Sequence, residues 1–282
     1  MMFTRYLCFP GGKRKALTFS YDDGVEQDIR LASIFRSHNL KATFNINSGY
    51  FSNEDGTNPF KHTHRHLSRS EALDVYKPDL FEIACHGVHH EVLPYCDCAA
   101  MCVDVIDDRR ELESLFGYQI HGMAYANGAF NDTAVNVLKA AGIWYSRTTV
   151  STLKFDMPTD WLRLPATCHH KNPRLMELAD QFLELKPKYQ SQLFYVWGHS
   201  YEFDVNNNWE IIEAFAEKMA NRDDIWYCTN IELYQAWQDY MRLESTADGM
   251  NIYNPSARTV WIRDRKNNIY EIHSGETVTL IK

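Results

Sequence analysis

The chain has 282 residues, 45% of them hydrophobic and 23% charged, which suits one large α/β domain with a small appendage. A formal net charge of −8 and the lack of any basic run argue against a nucleic-acid-binding protein. No apolar run reaches the roughly 18 residues of a membrane span, and the first residues lack the apolar centre of a signal peptide, so we expect a cytoplasmic protein with reduced thiols.

Segments that favour strands alternate about seven times with segments that favour helices. The predicted strands are 16–21, 41–47, 80–85, 120–125, 143–149, 192–197 and 224–228. The predicted helices are 26–37, one that starts at 68, 97–116, 131–142, 172–186, 207–219 and 229–243. This alternation predicts a barrel-like α/β domain of parallel strands.

Sequence patterns also define details of three helices. Capping boxes at Ser68–Glu71 and Thr229–Glu232 mark the starts of two of them. In the helix at 97–116, the spacing predicts an apolar face formed by Val103, Ile106, Leu112 and Leu115.

Beyond Gly249 the chain changes to short β-rich runs at 259–262, 269–273 and 277–281. We therefore predict a catalytic domain at 1–244 and a three-stranded β extension at 245–282.

The first predicted strand ends in two adjacent carboxylates, Asp22 and Asp23, followed by Gly24. The carboxyl ends of strands are where α/β folds place their chemistry. Neighbouring side chains on extended backbone diverge, so the two aspartates are expected to have different roles. Taken alone, this pattern is also that of an ordinary Asp-Gly turn.

A pair of histidines, His86 and His90, follows the predicted strand at 80–85, with His89 between them. If the backbone coils there, a spacing of four places both imidazoles on one side, about 5–6 Å apart at Cβ. Two imidazoles at that separation can reach one cation, and one of the two aspartates is the natural oxygen ligand. The alternative is a polar loop without a metal.

Other histidines and cysteines give weaker signals. A loop at 49–66 carries the alternating histidines His62, His64 and His66. We interpret them as part of a solvated or substrate-edge loop, with metal binding as the less favoured alternative. Near the start of the helix at 97–116 lie Cys96, Cys98 and Cys102, whose spacing favours free thiols over a structural zinc site.

The motifs Ser20-Tyr-Asp-Asp-Gly24 and His86-Gly-Val-His-His90 together resemble the polysaccharide deacetylase family with the NodB homology domain, the carbohydrate esterase family 4 type. The similarity covers roughly residues 14–240 and implies a distorted (β/α)7-type barrel of parallel strands with a small C-terminal β appendage. It also implies that Asp22 is the general base and that Asp23, His86 and His90 are the ligands of one divalent metal ion. Zinc is the default for two histidines and one aspartate, with cobalt, nickel or manganese as alternatives.

The resemblance also assigns a catalytic acid and an oxyanion donor. The segment Trp197–Glu202 resembles the family's late Leu-His-Asp motif and makes His199 the acid, against the alternative of a structural histidine. The backbone N–H of Asn127 occupies the position of a family tyrosine whose N–H helps to hold the oxyanion.

Two positions depart from the family pattern. Gly87 stands where the family usually has serine or threonine, and Ala124 stands where many members carry an arginine that pairs with the base. From another strand, Arg147 or Arg163 could supply the missing guanidinium.

We therefore predict a hydrolase that acts on non-peptide carbon–nitrogen bonds and removes N-acetyl groups from an N-acetylated carbohydrate. One alternative is a metal-dependent amidase or ester deacylase for a small substrate. Another is a catalytically inactive carbohydrate-binding homologue. The expected partner is a carbohydrate or small amide, without nucleic acid or membrane.

Overall fold

The computed structural model describes residues 5–59 and 63–281. The strands are β1 (Tyr6–Cys8), β2 (Lys15–Asp22), β3 (Ala42–Ile46), β4 (Phe81–Cys85), β5 (Gly122–Ala124), β6 (Tyr145–Ser151), β7 (Leu164–Ala166), β8 (Cys168–His169), β9 (Gln192–Gly198), β10 (Ile225–Tyr227), β11 (Glu244–Ser245), β12 (Asn251–Tyr253), β13 (Val260–Arg263), β14 (Ile269–Ile272) and β15 (Thr277–Thr279). The α-helices are α1 (Asp28–Ser37), α2 (Arg69–Val75), α3 (Cys98–Phe116), α4 (Asp132–Ala140), α5 (Leu175–Glu184), α6 (Tyr201–Val205), α7 (Glu210–Met219) and α8 (Asn230–Arg242). Short 3-10 helices cover Pro10–Gly12, Ser48–Tyr50, Leu93–Tyr95, Ala126–Gly128 and Trp161–Arg163.

The central sheet is parallel, with the strand order β7-β6-β5-β4-β3-β2-β9-β8, and β10 also pairs with β2. Its two end strands, β7 and β8, are separated only by Thr167. The N–H of Thr152 donates to Ala166 O at 3.0 Å, and the N–H of Thr167 donates to Tyr195 O at 2.8 Å. One short segment thus joins both ends of the sheet, which confirms the expected distorted (β/α)7-type barrel.

The residues of β2 are buried along its whole length, as expected for a central strand covered on both faces. The main core packs between this sheet and the surrounding helices and includes Phe19, Phe35 and Phe215. Both predicted capping boxes are present, at Ser68 before α2 and at Thr229 before α8. These local signals therefore predicted the starts of those two helices correctly.

The predicted apolar face of α3 is correct at Leu112, which is buried, but wrong at Val103 and Ile106. Val103 and Ile106 are 60% and 40% exposed. The residues that α3 buries are Met101, Asp104, Val105, Asp108 and Leu112. The helix is rotated from the expected orientation because its two buried aspartates accept N–H groups from the loop that follows β4.

The C-terminal residues form parts of two small antiparallel sheets, β1-β13-β14 and β11-β12-β15. The expected single three-stranded sheet is therefore wrong. The N-terminal strand β1 supplies an edge that pairs with β13, with Leu7 opposite Ile262. The division of the chain at residue 244 stays a prediction.

Two helices begin three residues later than the sequence predicts. The helix predicted from residue 172 begins at Leu175, and the helix predicted from 207 begins at Glu210 after the separate helix α6. Among the described residues, no helix combines the length and the apolar character that a membrane crossing requires.

Candidate active site

The candidate site lies at the carboxyl ends of neighbouring parallel strands. Asp22 ends β2, which lies between β3 and β9. His86 follows β4, on the far side of β3, and His199 follows β9. Because parallel strands place their carboxyl ends at the same edge, residues more than a hundred positions apart in sequence converge here.

The two aspartates have different surroundings, as their adjacency predicted. The carboxylate of Asp22 is buried and accepts a hydrogen bond from Asn45 Nδ2 at 2.8 Å. Asp23 is turned away at a φ of 82°, and its backbone N–H donates to Asn45 O at 2.9 Å. A positive φ is uncommon for aspartate and is often found where function fixes the backbone.

A buried arginine contacts Asp22. The Nη2 atom of Arg147 donates to Asp22 Oδ2, and its guanidinium carbon lies 4.3 Å from the centre of the Trp197 ring. Arg147 is on β6 and is the direct strand partner of Ala124 on β5. The guanidinium missing at position 124 is thus supplied from the neighbouring strand. Arg163, the other candidate, pairs with Asp132 and Asp160.

Asp23, His86 and His90 form a compact group of ligand atoms. Asp23 Oδ1 lies 3.5 Å from His86 Nε2 and 3.9 Å from His90 Nε2. The three ligand atoms lie within 4.8 Å of one another. This is the set that the family resemblance implied, and its nitrogen and carboxylate donors are those that zinc accepts.

The environment of His86 supports a role as a metal ligand. Its Nδ1 atom lies 2.8 Å from Ala124 O, so the ring proton belongs on Nδ1 and the lone pair on Nε2. Nε2 is buried and has no hydrogen-bond partner among the described residues. A divalent cation held between His86, His90 and Asp23 would satisfy this atom, so the residues fit the metal that the family implies.

The charges in this group shift the pKa values in opposite directions. Burial would raise the pKa of Asp23, but the nearby imidazoles of His86, His199 and His90 lower it well below its usual range. Burial would lower the pKa of His86, but the carboxylates of Asp22 and Asp23 raise it. The pKa of His90 is lowered by burial and by His86. The surrounding imidazoles therefore favour an ionised Asp23.

Asp108 on α3 holds the loop that carries the histidines. Its carboxylate accepts the backbone N–H groups of Ser48 at 2.8 Å, and of His86 and Gly87 at 2.9 Å each. Burial raises the pKa of Asp108 to about 6. The sequence analysis did not identify Asp108 as a functional residue. The available signal was a second aspartate one helical turn after Asp104 in the same helix.

The geometry of Gly87 explains its departure from the family pattern. It has a φ of 81°, and a Cβ atom built there would lie 2.5 Å from Asp104 Oδ2. Asn47 Nδ2 donates to both His86 O and Gly87 O, at 2.8 and 2.7 Å. The space that a side chain at this position would need is therefore occupied by the Asp104 carboxylate.

His199 lies between two carboxylates. Its Nε2 is 3.8 Å from Asp22 Oδ2, and its Nδ1 is 3.6 Å from Glu202 Oε2. Burial would lower the pKa of His199, but Glu202, Asp22 and Asp23 raise it. The sequence analysis assigned no role to Glu202, which stands three residues after His199 on the same turn of chain.

Asn127 lies in the 3-10 turn Ala126–Gly128, directly after β5. Its φ of 54° is in the left-handed region, and the residue is exposed. The turn follows Ala124, whose carbonyl oxygen faces His86. The role of the Asn127 N–H at an oxyanion stays a prediction.

A cleft of about 300 Å³ opens beside Asp23 and His90. The other residues that line it are Val25, Tyr50, Thr63, His64, His66, His89 and Tyr201. The rings of His64 and Tyr201 stack with their centres 4.2 Å apart. Two of the three alternating histidines thus lie at the edge of the cleft, as expected for a substrate-edge loop, and His62 lies outside the described residues.

The family described as polysaccharide deacetylase matches residues 10–146. The matched region is just under half of the chain. It includes Asp22, Asp23, His86, His90 and Asn127, and it ends one residue before Arg147. The resemblance inferred from the two motifs is therefore confirmed. Among curated proteins, none matches the chain.

Three solved structures are similar to this chain, and the first of them shares its fold. A candidate polysaccharide deacetylase from Mycobacterium smegmatis is 14% identical, with a TM-score of 0.61 over 83% of this chain and 94% of that chain. A Streptococcus pyogenes deacetylase in complex with acetate is 20% identical, with a TM-score of 0.42 over 47% of this chain and 55% of that chain. A Bacillus anthracis pseudoenzyme of carbohydrate esterase family 4 is 17% identical, with a TM-score of 0.46 over 81% of this chain and 68% of that chain. The chain thus spans about half the length of the Streptococcus protein.

Proposed function

We propose that this protein is a metal-dependent hydrolase that removes the acetyl group from an N-acetylated carbohydrate. The observation that carries the proposal is the convergence of Asp22, Asp23, His86, His90 and His199 at one edge of the barrel. In the reaction, water adds to the acetyl carbon, the carbon–nitrogen bond breaks, and acetate and a free amine are released.

Asp23, His86 and His90 would hold the divalent cation. When bound, the cation supplies Lewis acidity that polarises the acetyl carbonyl and lowers the pKa of water. Zinc is the default for this donor set, with cobalt, nickel or manganese as alternatives.

Asp22 is the general base that takes the proton of the attacking water. Arg147 and Asn45 each donate to one of its oxygens, which fixes the orientation of the carboxylate.

His199 is the acid that delivers a proton to the leaving nitrogen. Its Nε2 lies 3.8 Å from Asp22 Oδ2, so the proposed acid and the proposed base are close neighbours. Glu202 at Nδ1 favours the protonated imidazole before transfer. By the family resemblance, the backbone N–H of Asn127 donates to the oxyanion that forms on the acetyl carbonyl.

The cleft supports a carbohydrate as the substrate. Its aromatic and histidine side chains offer flat, partly polar surfaces of the kind that bind sugar rings. A small amide or ester substrate, and an inactive carbohydrate-binding homologue, are the competing possibilities. The cytoplasmic location and the lack of nucleic-acid and membrane partners remain predictions.

Acetate release from a panel of N-acetylated sugars, simple amides and acetate esters tests the proposal. The protein is first stripped with a chelator, and zinc or cobalt is then added back. Metal-dependent release from a sugar is the expected result. Release only from simple amides or esters would show that the substrate is a small amide or ester and not a carbohydrate. Sugar binding without any release would identify an inactive homologue.

A further inference from the structure

A second group of metal-ligating side chains lies beside the proposed catalytic site. His169 and His170 follow each other at the end of β8, and Glu202 lies in the first turn of α6. Glu202 Oε2 is 3.2 Å from His169 Nε2 and 3.1 Å from His170 Nε2. The three ligand atoms lie within 4.8 Å of one another, as they do at Asp23, His86 and His90.

These separations suit a single cation. Ligand atoms about 2.0–2.1 Å from a tetrahedral zinc ion lie about 3.3 Å from one another. The two distances to Glu202 Oε2 are close to this value. The other carboxylate oxygen, Oε1, is 2.8 Å from Lys171 Nζ. Oε2 accepts the backbone N–H of His199 at 3.4 Å and is the oxygen that faces both imidazoles.

The imidazole of His170 is buried and held in a fixed orientation. Its Nδ1 has no hydrogen bond among the described residues, and its Nε2 faces the Glu202 carboxylate oxygen at 3.1 Å. The ring is fixed between Phe203, whose ring centre is 4.2 Å away, and Tyr21, at 5.7 Å. At the first site, the buried Nε2 of His86 likewise faces a carboxylate oxygen, Asp23 Oδ1 at 3.5 Å. A cation can bind an imidazole nitrogen and a carboxylate oxygen placed in this way.

We propose that His169, His170 and Glu202 form a second binding site for a divalent cation of the zinc or cobalt class. His169 and Glu202 are partly exposed, so an ion can enter from solvent. His199 connects the two sites, because its Nε2 faces Asp22 and its Nδ1 lies 3.6 Å from the same Glu202 oxygen. An ion at the second site would therefore draw that oxygen away from His199.

The second site is expected to bind more weakly than the first. The backbone N–H of Lys171 donates to His169 Nδ1 at 3.1 Å, which places the neutral ring proton on Nε2. Binding a cation at Nε2 moves that proton to Nδ1 and ends the hydrogen bond. The Lys171 ammonium on Glu202 also repels a cation. At the first site, the Nδ1 contact of His86 with Ala124 O already favours the required tautomer.

Equilibrium titration of the chelator-stripped chain with zinc, and with cobalt followed by its visible absorption, tests this proposal. The unaltered chain should bind two equivalents in a tight and a weaker step. His169→Gln and Glu202→Gln should each lose the weaker step and keep the tight one. His86→Ala should lose the tight step and keep the weaker one. His273→Gln is the matched control, because it removes an exposed imidazole that belongs to neither site, and it should keep both binding steps.

The measurement needs no substrate, so its outcome is separate from that of the proposed deacetylation. One equivalent in the unaltered chain would overturn the second site, and so would two equivalents in both His169→Gln and Glu202→Gln. His169 is partly exposed, so its variant keeps the test decisive if Glu202→Gln fails to fold. Circular dichroism of each variant establishes which of them are folded.

Discussion

Arg147 on β6 and Asp22 at the end of β2 form a buried ion pair beneath the candidate site. They are 125 positions apart in the sequence. The guanidinium also lies over the Trp197 ring, so the arginine is held by packing as well as by charge. A buried charge that loses its partner is costly, and this pair therefore makes a sharp prediction about both stability and chemistry.

Replacing Arg147 with methionine should lower the free energy of unfolding by roughly 3–5 kcal/mol, because Asp22 would remain buried without its counter-charge. Urea denaturation measures this loss. Arg147→Lys keeps the charge but not the planar group, so its loss should be smaller. The double variant Arg147→Met with Asp22→Asn should recover part of the stability of the single variant. An unchanged free energy of unfolding in Arg147→Met would contradict the buried pair.

Asp22→Asn should reduce acetate release by about 10²–10⁴-fold and leave metal binding intact, because it removes the proposed base but none of the ligands. Asp23→Asn is the matched comparison, since it alters the neighbouring carboxylate and should weaken metal binding itself. Metal content by atomic absorption and turnover, measured on the same samples, separate the two effects. Full turnover in Asp22→Asn would remove Asp22 from the mechanism.

Local patterns predicted much of this molecule. The strand ending in Asp22 and Asp23, the capping boxes at Ser68 and Thr229, and the alternation of strands and helices depend on neighbours in sequence. The spacing of His86 and His90 likewise indicated that both imidazoles could bind one cation, and the centres of the two rings lie 4.8 Å apart. Such features are visible because their physical causes lie within a few residues.

Local patterns did not assign the supporting residues. Arg147 was one of two candidates for the missing guanidinium, and Asp108 and Glu202 had no assigned role. These three residues act on groups that are brought together by the fold. The orientation of α3 shows the same limit, because its two buried aspartates interrupt the apolar pattern that would have indicated its inner face. The N-terminal strand that pairs with β13 is likewise a long-range contact without a local signal.

Gly87→Ser should destabilise the loop that carries the metal ligands. Part of the cost is the left-handed φ of 81°, which disfavours any side chain by about 1–2 kcal/mol. The remainder comes from the Asp104 carboxylate, 2.5 Å from the new Cβ. Gly117→Ser is the matched control, because Gly117 has a φ of 77° but nothing within 4 Å of a Cβ. We expect Gly87→Ser to lose roughly 1–3 kcal/mol more than the control and to bind metal more weakly. Equal losses of stability in the two variants would argue against the contact with Asp104.

Glu82, near the amino end of β4, should make the stability of the protein depend on pH. Its carboxyl is buried and accepts hydrogen bonds from Tyr145 Oη at 2.6 Å, Thr43 Oγ1 at 2.8 Å and the N–H of Ile231 at 2.9 Å. Burial raises the pKa of Glu82 from 4.5 to about 7. The folded state therefore favours the protonated form. Its contribution is fully present below pH 4.5 and is lost as the pH rises to about 7.

The loss over that interval should reach about 3 kcal/mol, at 1.36 kcal/mol for each pKa unit. Glu82→Gln cannot ionise, so its free energy of unfolding should fall less between pH 4.5 and 7.5 than that of the unaltered chain. Urea denaturation at a series of pH values measures the difference. Glu217→Gln, which removes an exposed carboxylate on α7, is the matched control and should keep the original pH dependence. If Glu82→Gln and the unaltered chain lose stability in parallel across this range, Glu82 remains ionised in the folded state and the raised pKa is wrong.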